Sequence, residues 1–466
     1  MMIGLEQLTP GSYALATVAF TAVLLFCVAI RRRYFSPISD IPGPFLASFS
    51  VLWEVYEVIV GHIEVSVIAL HKKHGYFVRI SHYEVSVSHP DAIRKILLAP
   101  LRKVDWYKIM ALPDHFHQTP MSEVDPKRRV ERARNVAAGY ALSNIIKSEP
   151  FLDDSISLLK KQWTRLAQEK TPVEFDKWFN YLAFDIIGEV TFSGSFGFLA
   201  SGSDIGGSIE NTRILTLYVA VMGYFQKIHR MTLGNPWISQ LGMTPSQHIF
   251  DTVRRAVAAR EQNQNARKDM MEQWLMERKL HPERFEEREL YGVASATIGA
   301  GADTVSATLQ AFYYYLLRSP QSLARLHEEI DTASAEGRFS KVVSYAEARE
   351  LPFLQACTHV SVNPWVIHRS VEFFGADADE FKPERWLEPR AKDMDRYMMQ
   401  FGAGYNSCPG QHLARMEISK VTATLIRDFD VRQVDPKHNW SFKSHFTAVP
   451  YDWPCYVEPR TRSIDS

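Results

Sequence analysis

The sequence predicts a mainly α protein with a small β region, preceded by a membrane-spanning helix. Three observations carry this. The apolar run Leu290 to Leu317 is long enough for a helix of roughly 42 Å. Strand-like alternation is confined to short stretches at Tyr76–Ser88, Thr358–Ser370 and Phe429–Glu458. Tyr13 to Ile30 contains no charged residue at all. The 466 residues, 46% hydrophobic and 23% charged, are enough for a large core. Equal numbers of basic and acidic residues, 53 each, give no support to a nucleic-acid partner. The four cysteines, Cys27, Cys357, Cys408 and Cys455, are far apart and form no Cys-x-x-Cys pair. That argues against a zinc ribbon or a dense disulfide framework and fits a reducing compartment.

A short segment, residues 1–12, leads into the anchor, residues 13–30. Its 18 residues approach the length of about 20 that a spanning helix needs. Arg31, Arg32 and Arg33 follow and hold the C-terminal side in the cytosol by the positive-inside rule. A cleaved signal peptide is the competing reading. The acidic Glu6 and the lack of basic charge ahead of the apolar run favour an uncleaved anchor. Residues 31–46 are basic, then rich in proline (Pro37, Pro42, Pro44), and read as a stiff, extended hinge. Residues 47–466 make the main domain.

Ile63 to His74 reads as a helix, followed by paired strands at Tyr76–Ile80 and Tyr83–Ser88. Asp125 to Tyr140 is a basic helix with Asp125 as its cap and Pro126 in its first turn. Lys127, Arg128, Arg129, Arg132 and Arg134 make it a solvated face, a clamp for an anionic cofactor group, or a dock for an acidic partner. Phe179 to Thr191 is apolar on most sides and belongs against a core. Leu215 to Gly242 reads as a lid or as surface helices, and Asp251 to Glu289 as a solvated helical pair. In the long helix, Ala294 to Ala302 are almost all small, so a flat or bulky group can lie against it. Asp303 and Thr304 put a carboxylate and a hydroxyl at its weak point, and Thr304 can bond the Ala300 carbonyl one turn back. Asn439-Trp440-Ser441 matches a glycosylation acceptor, which on the cytosolic side goes unused.

Phe401 to Glu417 concentrates the chemistry. Gly402 and Gly404 precede Cys408; Pro409, Gly410 and a helical periodicity follow. Cys408 is therefore expected at a helix N-terminus, where free N–H groups and the dipole favour a thiolate. A buried structural cysteine and a nucleophile are two readings. A phosphatase needs an arginine closing an anion cradle, yet Arg415 is seven positions on, inside the helix. An axial thiolate on haem iron is the third. It accounts for the glycine-lined loop and the small-residue helix together.

These segments resemble the haem-thiolate monooxygenases, the cytochromes P-450. The family's cysteine loop, Phe-x-x-Gly-x-Arg-x-Cys-x-Gly, is matched at Phe401, Gly404, Cys408 and Gly410. Its oxygen-activating helix, Ala/Gly-Gly-x-Asp/Glu-Thr, is matched at Ala300, Gly301, Asp303 and Thr304. The anchor and IPGPF hinge resemble microsomal members, and the texture is most similar to fungal members grouped with benzoate hydroxylase and pisatin demethylase. The resemblance implies a cytochrome P-450 fold, haem b and Cys408 as iron ligand. It implies Asp303 and Thr304 as the proton relay, with Ala300 and Gly301 leaving a groove for O2. Phe401, Gly402, Gly404, Asn406, Gly410, Arg129 and Arg132 are expected around the haem. The implied reaction inserts one oxygen atom from O2 into a lipophilic organic substrate, in fungal secondary metabolism. Electrons would come from NADPH-cytochrome P-450 reductase, with the protein single-pass in the endoplasmic reticulum membrane and its catalytic domain cytosolic. A haem-thiolate isomerase or dehydratase and an inactive remnant are the alternatives.

Two departures from the family pattern stand out. The arginine that pairs with a haem propionate is Asn406 here. The helix with Glu-x-x-Arg, expected after Leu351–Cys357, is missing: LPFLQAC runs through THV straight into SVNPWVIHR, with Val360 where the glutamate belongs. The deletion falls near residues 357–361, and Arg385 of FKPERW, which the lost pair should brace, is expected as a buried unpaired charge costing roughly 3–5 kcal/mol.

Overall fold

The structure is a computed structural model that describes residues 10–242, 244, 246–262, 267–358 and 365–460. It has two compact units, one ending at Ala92 and one beginning at Ile93.

In the first unit, α1 (Pro10–Tyr34) is the apolar helix expected from the sequence. Its Gly11–Tyr34 span has mean hydropathy 2.4 and buries none of its residues, so it is long and apolar enough to cross a membrane. Helices α2 (Leu52–Val60) and α3 (Ile63–His74) follow. Strands β1 (Phe77–Arg79) and β2 (Val85–Val87) pair antiparallel, with Val78 opposite Ser86. The hinge is not extended throughout. Ser39 N–H bonds Ser36 O and Ile41 N–H bonds Ile38 O, so it coils into turns before Pro42. Gly43 then lies against β1 so closely that a Cβ would sit 2.0 Å from the Arg79 carbonyl oxygen. Arg79 is buried and donates to the carbonyls of Ser81, Arg32, Ser48 and His82, which sews the hinge to the strands.

The second unit is helical. It contains α4 (Pro126–Tyr140), α5 (Glu149–Gln168), α6 (Phe175–Phe192), α7 (Ser208–Met222), α8 (Gln247–Gln262), α9 (Met270–Leu280), α10 (Glu287–Leu317), α11 (Pro320–Ala335) and α12 (Gln411–Asp428). Helix α4 is capped as expected: Asp125 accepts from the N–H groups of Lys127 and Arg128, both at 3.0 Å. The charged α8–α9 pair is amphipathic rather than simply solvated, since Met270, Met271 and Trp274 are fully buried. Helix α10 crosses the unit and packs chiefly along α6. The approach is close because Gly301 has no side chain; a Cβ there would meet Ile187 Cδ1 at 2.1 Å. Aromatic rings fill the space between α5, α6 and α10, with Phe175 centred 5.2 Å from Trp163, 5.3 Å from Tyr313 and 5.2 Å from Trp453. Four short strands close the chain: β3 (Phe429–Gln433) pairs antiparallel with β6 (Cys455–Pro459), and β4 (Ser441–Ser444) with β5 (Ala448–Tyr451).

Thr358–Ser370 differs from the strand-like expectation where it is described. Ile367–Arg369 form a 3-10 turn, and Val360 lies outside the described residues. Arg385 also differs: it is buried but not unpaired. Its guanidinium donates to the carbonyls of Phe374 (2.8 Å), Asp377 (2.6 Å), Glu380 (3.2 Å) and Lys382 (3.2 Å) and reaches the Asp377 carboxylate at 3.3 Å. The coil ahead of it folds back so that local carbonyls replace the expected distant partners.

Helix α12 is held by a fully buried cation, Lys420. Its Nζ contacts Glu149 at 2.8 Å and Asp153 at 2.7 Å, both on α5, and the Val343 carbonyl at 3.1 Å. Replacing Lys420 by methionine leaves two carboxylates facing each other without their counter-ion. We expect a loss of about 3 kcal/mol, read from the urea midpoint.

Candidate active site

Cys408 ends a tight loop and precedes α12. Its N–H donates to Phe401 O at 2.7 Å. The loop closes on itself at Gly402, which has φ +68° and where a Cβ would come within 2.5 Å of Asn406 O. Gly404, φ +53°, lies against the backbone at Leu97 and Leu98, 3.0 Å from Leu97 O for an added Cβ. Neither position accepts another residue without strain. Helix α12 begins at Gln411, two residues after Pro409. The N–H groups of Gly410 and Gln411 point at the sulfur and pull the thiol pKa down, while burial pushes it up further, leaving it above the ordinary value. The Arg415 guanidinium lies over the Phe401 ring, 4.9 Å from its centre, so Arg415 braces the loop and forms no anion cradle.

The other cysteines are placed differently. Cys27 is exposed on α1. Cys357 and Cys455 are completely buried, and burial drives the Cys455 thiol to about 12 and Cys357 higher still. Cys455 is also bridged through its backbone to Val173, with N–H···O distances of 2.7 and 3.0 Å. Neither has room for a bulky ligand at its sulfur.

Helix α10 is buried on most sides but opens along one stripe. Ala300 and Thr304 are exposed, Ala296 and Thr308 partly so, and each is four residues from the next. Beside them a Cβ on Gly299 would meet nothing within 4 Å. Thr304 Oγ1 donates to Ala300 O at 2.8 Å, the local bond anticipated from the sequence. Gly301 does not contribute to this open face; it is turned to Ile187 on α6. Asp303 is buried off the stripe, where burial raises its carboxyl pKa to about 6 and Arg213 on α7 opposes the rise. Tyr140, at the end of α4, links the two walls. Its hydroxyl is 2.6 Å from Thr297 Oγ1 on α10, and the Cys408 sulfur is near enough to help burial raise its pKa to about 12.

The basic helix reaches the Cys408 loop through one residue. Arg129 is buried, and its Nη1 donates to Asn406 Oδ1. Among the described residues it has no carboxylate partner. Arg132 is committed elsewhere, to Glu123 at 3.2 Å and to Glu289, so it is not drawn into the site. Lys103, which nothing in the sequence pattern signalled, lies beside Arg129. Burial and the Arg129 charge pull its pKa down to about 8.

The donor set fits haem. Among the described residues no three His, Cys, Asp or Glu side chains cluster as metal ligands. One thiol in a glycine-tight loop, together with an open small-residue stripe on α10, suits a metal carried in its own macrocycle. Arg129 and Lys103, which have no carboxylate partner among the described residues, suit that macrocycle's acidic edge.

A family model described as cytochrome P-450 matches residues 42–359 and 358–451, two segments that meet where the sequence lacks its expected block. The cytochrome P-450 monooxygenase gsfF of Penicillium aethiopicum is 31% identical over 90% of this chain and 92% of its own. The monooxygenase cicH of Emericella nidulans is 27% identical, covering 96% and 97%. A pisatin demethylase of Fusarium vanettenii is 27% identical, covering 92% and 90%. With loop, helix and both matched segments in agreement, the chain belongs to the cytochrome P-450 family of haem monooxygenases, whose iron is held by a cysteine thiolate.

Proposed function

We propose that Cys408 is the iron ligand and that the open stripe of α10 is the oxygen side of the site. The observation that carries this is Cys408 itself: two backbone N–H groups on its sulfur, in a loop that only glycines can close. Haem bound there supplies the iron that activates dioxygen, and thiolate donation favours O–O cleavage. The Gly410 and Gln411 N–H groups hold the thiolate charge. Burial disfavours the Asp303 anion and raises its carboxyl to about 6, so it keeps a protonated fraction much closer to neutral pH than an ordinary aspartate does. The Thr304 hydroxyl, bonded to Ala300 O at rest, passes that proton to the open face. Ala296 and Ala300 keep that face apolar and limit water.

The substrate is a lipophilic organic molecule of fungal secondary metabolism; that the similar fungal proteins are named as monooxygenases and a pisatin demethylase supports an oxidative role of this kind. Helix α1 and the arginines of its last turn support a single-pass anchor in the endoplasmic reticulum membrane with the enzyme domain cytosolic, facing NADPH-cytochrome P-450 reductase. The abrupt join after Cys357 and the two-part family match support loss of the Glu-x-x-Arg block, with Arg385 held locally in its place.

The test is the absorption spectrum of the reduced, full-length protein under carbon monoxide. The red-shifted band of thiolate-bound haem is expected. Haem with a band at shorter wavelength only, or no haem, overturns the assignment and makes the chain a remnant.

A further inference from the structure

We propose that a cavity behind α10 is a second small-molecule site, one that takes an aromatic carboxylate. Its walls come from α6, the coil after it, α8 and α10, and its volume is about 510 Å³. Ordinary ligand pockets run from roughly 300 to 1,000 Å³. The cavity is separate from the site built on Cys408. Successive residues of a helix are turned by about 100°. Ile298, which lines the cavity, is two residues before Ala300 and therefore points roughly 160° away from the open stripe. No residue assigned above to the iron or to the oxygen side lines it.

The inner wall is aromatic. Phe184 and Phe198 stack with ring centres 4.9 Å apart, and Phe192 and Phe196 lie 6.1 Å apart. Such rings offer faces and edges to another flat ring. The polar groups are of one sign: Arg255, Arg260 and His248 line the cavity, and no Asp or Glu does among the described residues. The acids nearby are engaged elsewhere. Asp269 at 3.1 Å and Glu272 at 2.7 Å take Arg260. Glu189 accepts the Ser195 N–H at 2.8 Å and pairs with Arg267. Asp251, one turn before Arg255, accepts from Gln247 at 3.0 Å. Arg255 is left over. Its Nη2 donates to Thr252 Oγ1 at 3.3 Å, and no carboxylate pairs with it among the described residues. It is exposed at the mouth, where a ligand carboxylate can reach it without first being buried. A flat apolar body with one anionic end fits both halves: the ring enters among the phenylalanines and the carboxylate meets the guanidinium. A cationic ligand would find no counter-charge there.

The test is calorimetric titration of the full-length, haem-loaded protein in detergent with 2-naphthoate, the iron side being blocked by excess 4-phenylimidazole. Naphthoate should still bind, and the Soret band of the blocked haem should not move. 2-Naphthamide, the same ring system without the charge, should bind about tenfold more weakly, the worth of a charge-assisted contact. Arg255→Gln should weaken naphthoate by the same factor and leave naphthamide unchanged. Ala259→Trp, which puts a large ring at an exposed lining position, should abolish binding of both. Binding that disappears with the blocker places naphthoate on the iron side and overturns the proposal. Equal affinity of wild type and Arg255→Gln for naphthoate overturns it too, as does undiminished binding to Ala259→Trp. The Arg255→Gln comparison needs no haem, so this proposal and the haem reading fail independently: the latter is judged by the carbon monoxide band alone.

Discussion

Cys408→Ser abolishes the thiolate-type carbon monoxide band completely, while Cys357→Ala, Cys455→Ala and Cys27→Ala leave its position unchanged. The difference follows from where each sulfur lies. Cys357 and Cys455 are fully buried in the core, and their thiols are held protonated by burial. Changing them removes packing and lowers stability, with no consequence for an iron ligand. Cys27 belongs to the exposed apolar helix. Cys408 is only partly buried and has two N–H donors. Burial alone keeps it a thiol, so a bound cation must supply the rest of the thiolate's stabilisation. A serine oxygen is a poor replacement, because an alkoxide is far harder to form than a thiolate. The expected readout is haem with a shorter-wavelength band or rapid haem loss, with unchanged far-ultraviolet circular dichroism. A retained red-shifted band in Cys408→Ser, or its loss in Cys455→Ala, would reassign the ligand.

What the sequence revealed about this site divides along physical lines. The ligand loop was legible because its constraints are local: a helix start and turns that only glycine can make. The Thr304 bond to Ala300 is likewise an i to i−4 contact that helical geometry enforces. Gly301 was misread as part of the oxygen groove, because a motif does not show which neighbour a missing side chain faces; here it is Ile187. Arg129 and Arg132 are three residues apart on one helix, yet one reaches Asn406 and the other two glutamates. That choice depends in part on Asn406 and Glu289, each more than a hundred positions away. Lys103 lies in a stretch without periodicity, so no element and no partner could be read for it. Arg385 was expected unpaired because its usual partners are missing, but backbone carbonyls within eleven residues satisfy it. Carbonyl acceptors are present in every sequence and so leave no pattern.

The second large effect concerns Asp303, and it separates catalysis from stability by pH. Burial raises the carboxyl to about 6, so the folded protein binds this proton more tightly than the unfolded chain, where the value is the ordinary one. The associated stability is fully present below about pH 4 and is lost as pH rises through about 6; a displacement of that size is worth about 3 kcal/mol. Asp303→Asn removes the charge that burial penalises. It should therefore flatten the stability profile between those limits and raise the urea midpoint at neutral pH. Catalysis should move the opposite way. An amide cannot pass on the proton, so product formation should fall about 10²-fold, in the range of a lost general acid. NADPH and O2 consumption should continue, with the reduced oxygen leaving as hydrogen peroxide. Wild-type turnover should decline above about pH 6 as the protonated fraction falls, and Asp303→Asn should lose that limb. Thr304→Ala removes the hydroxyl on the open face and should uncouple turnover to a similar extent. With both residues in the one proposed relay, the double variant should be little worse than either single one. Additive losses would mean that the two act separately. A neutral-pH gain in stability without loss of product would make Asp303 a buried carboxyl with no part in the chemistry.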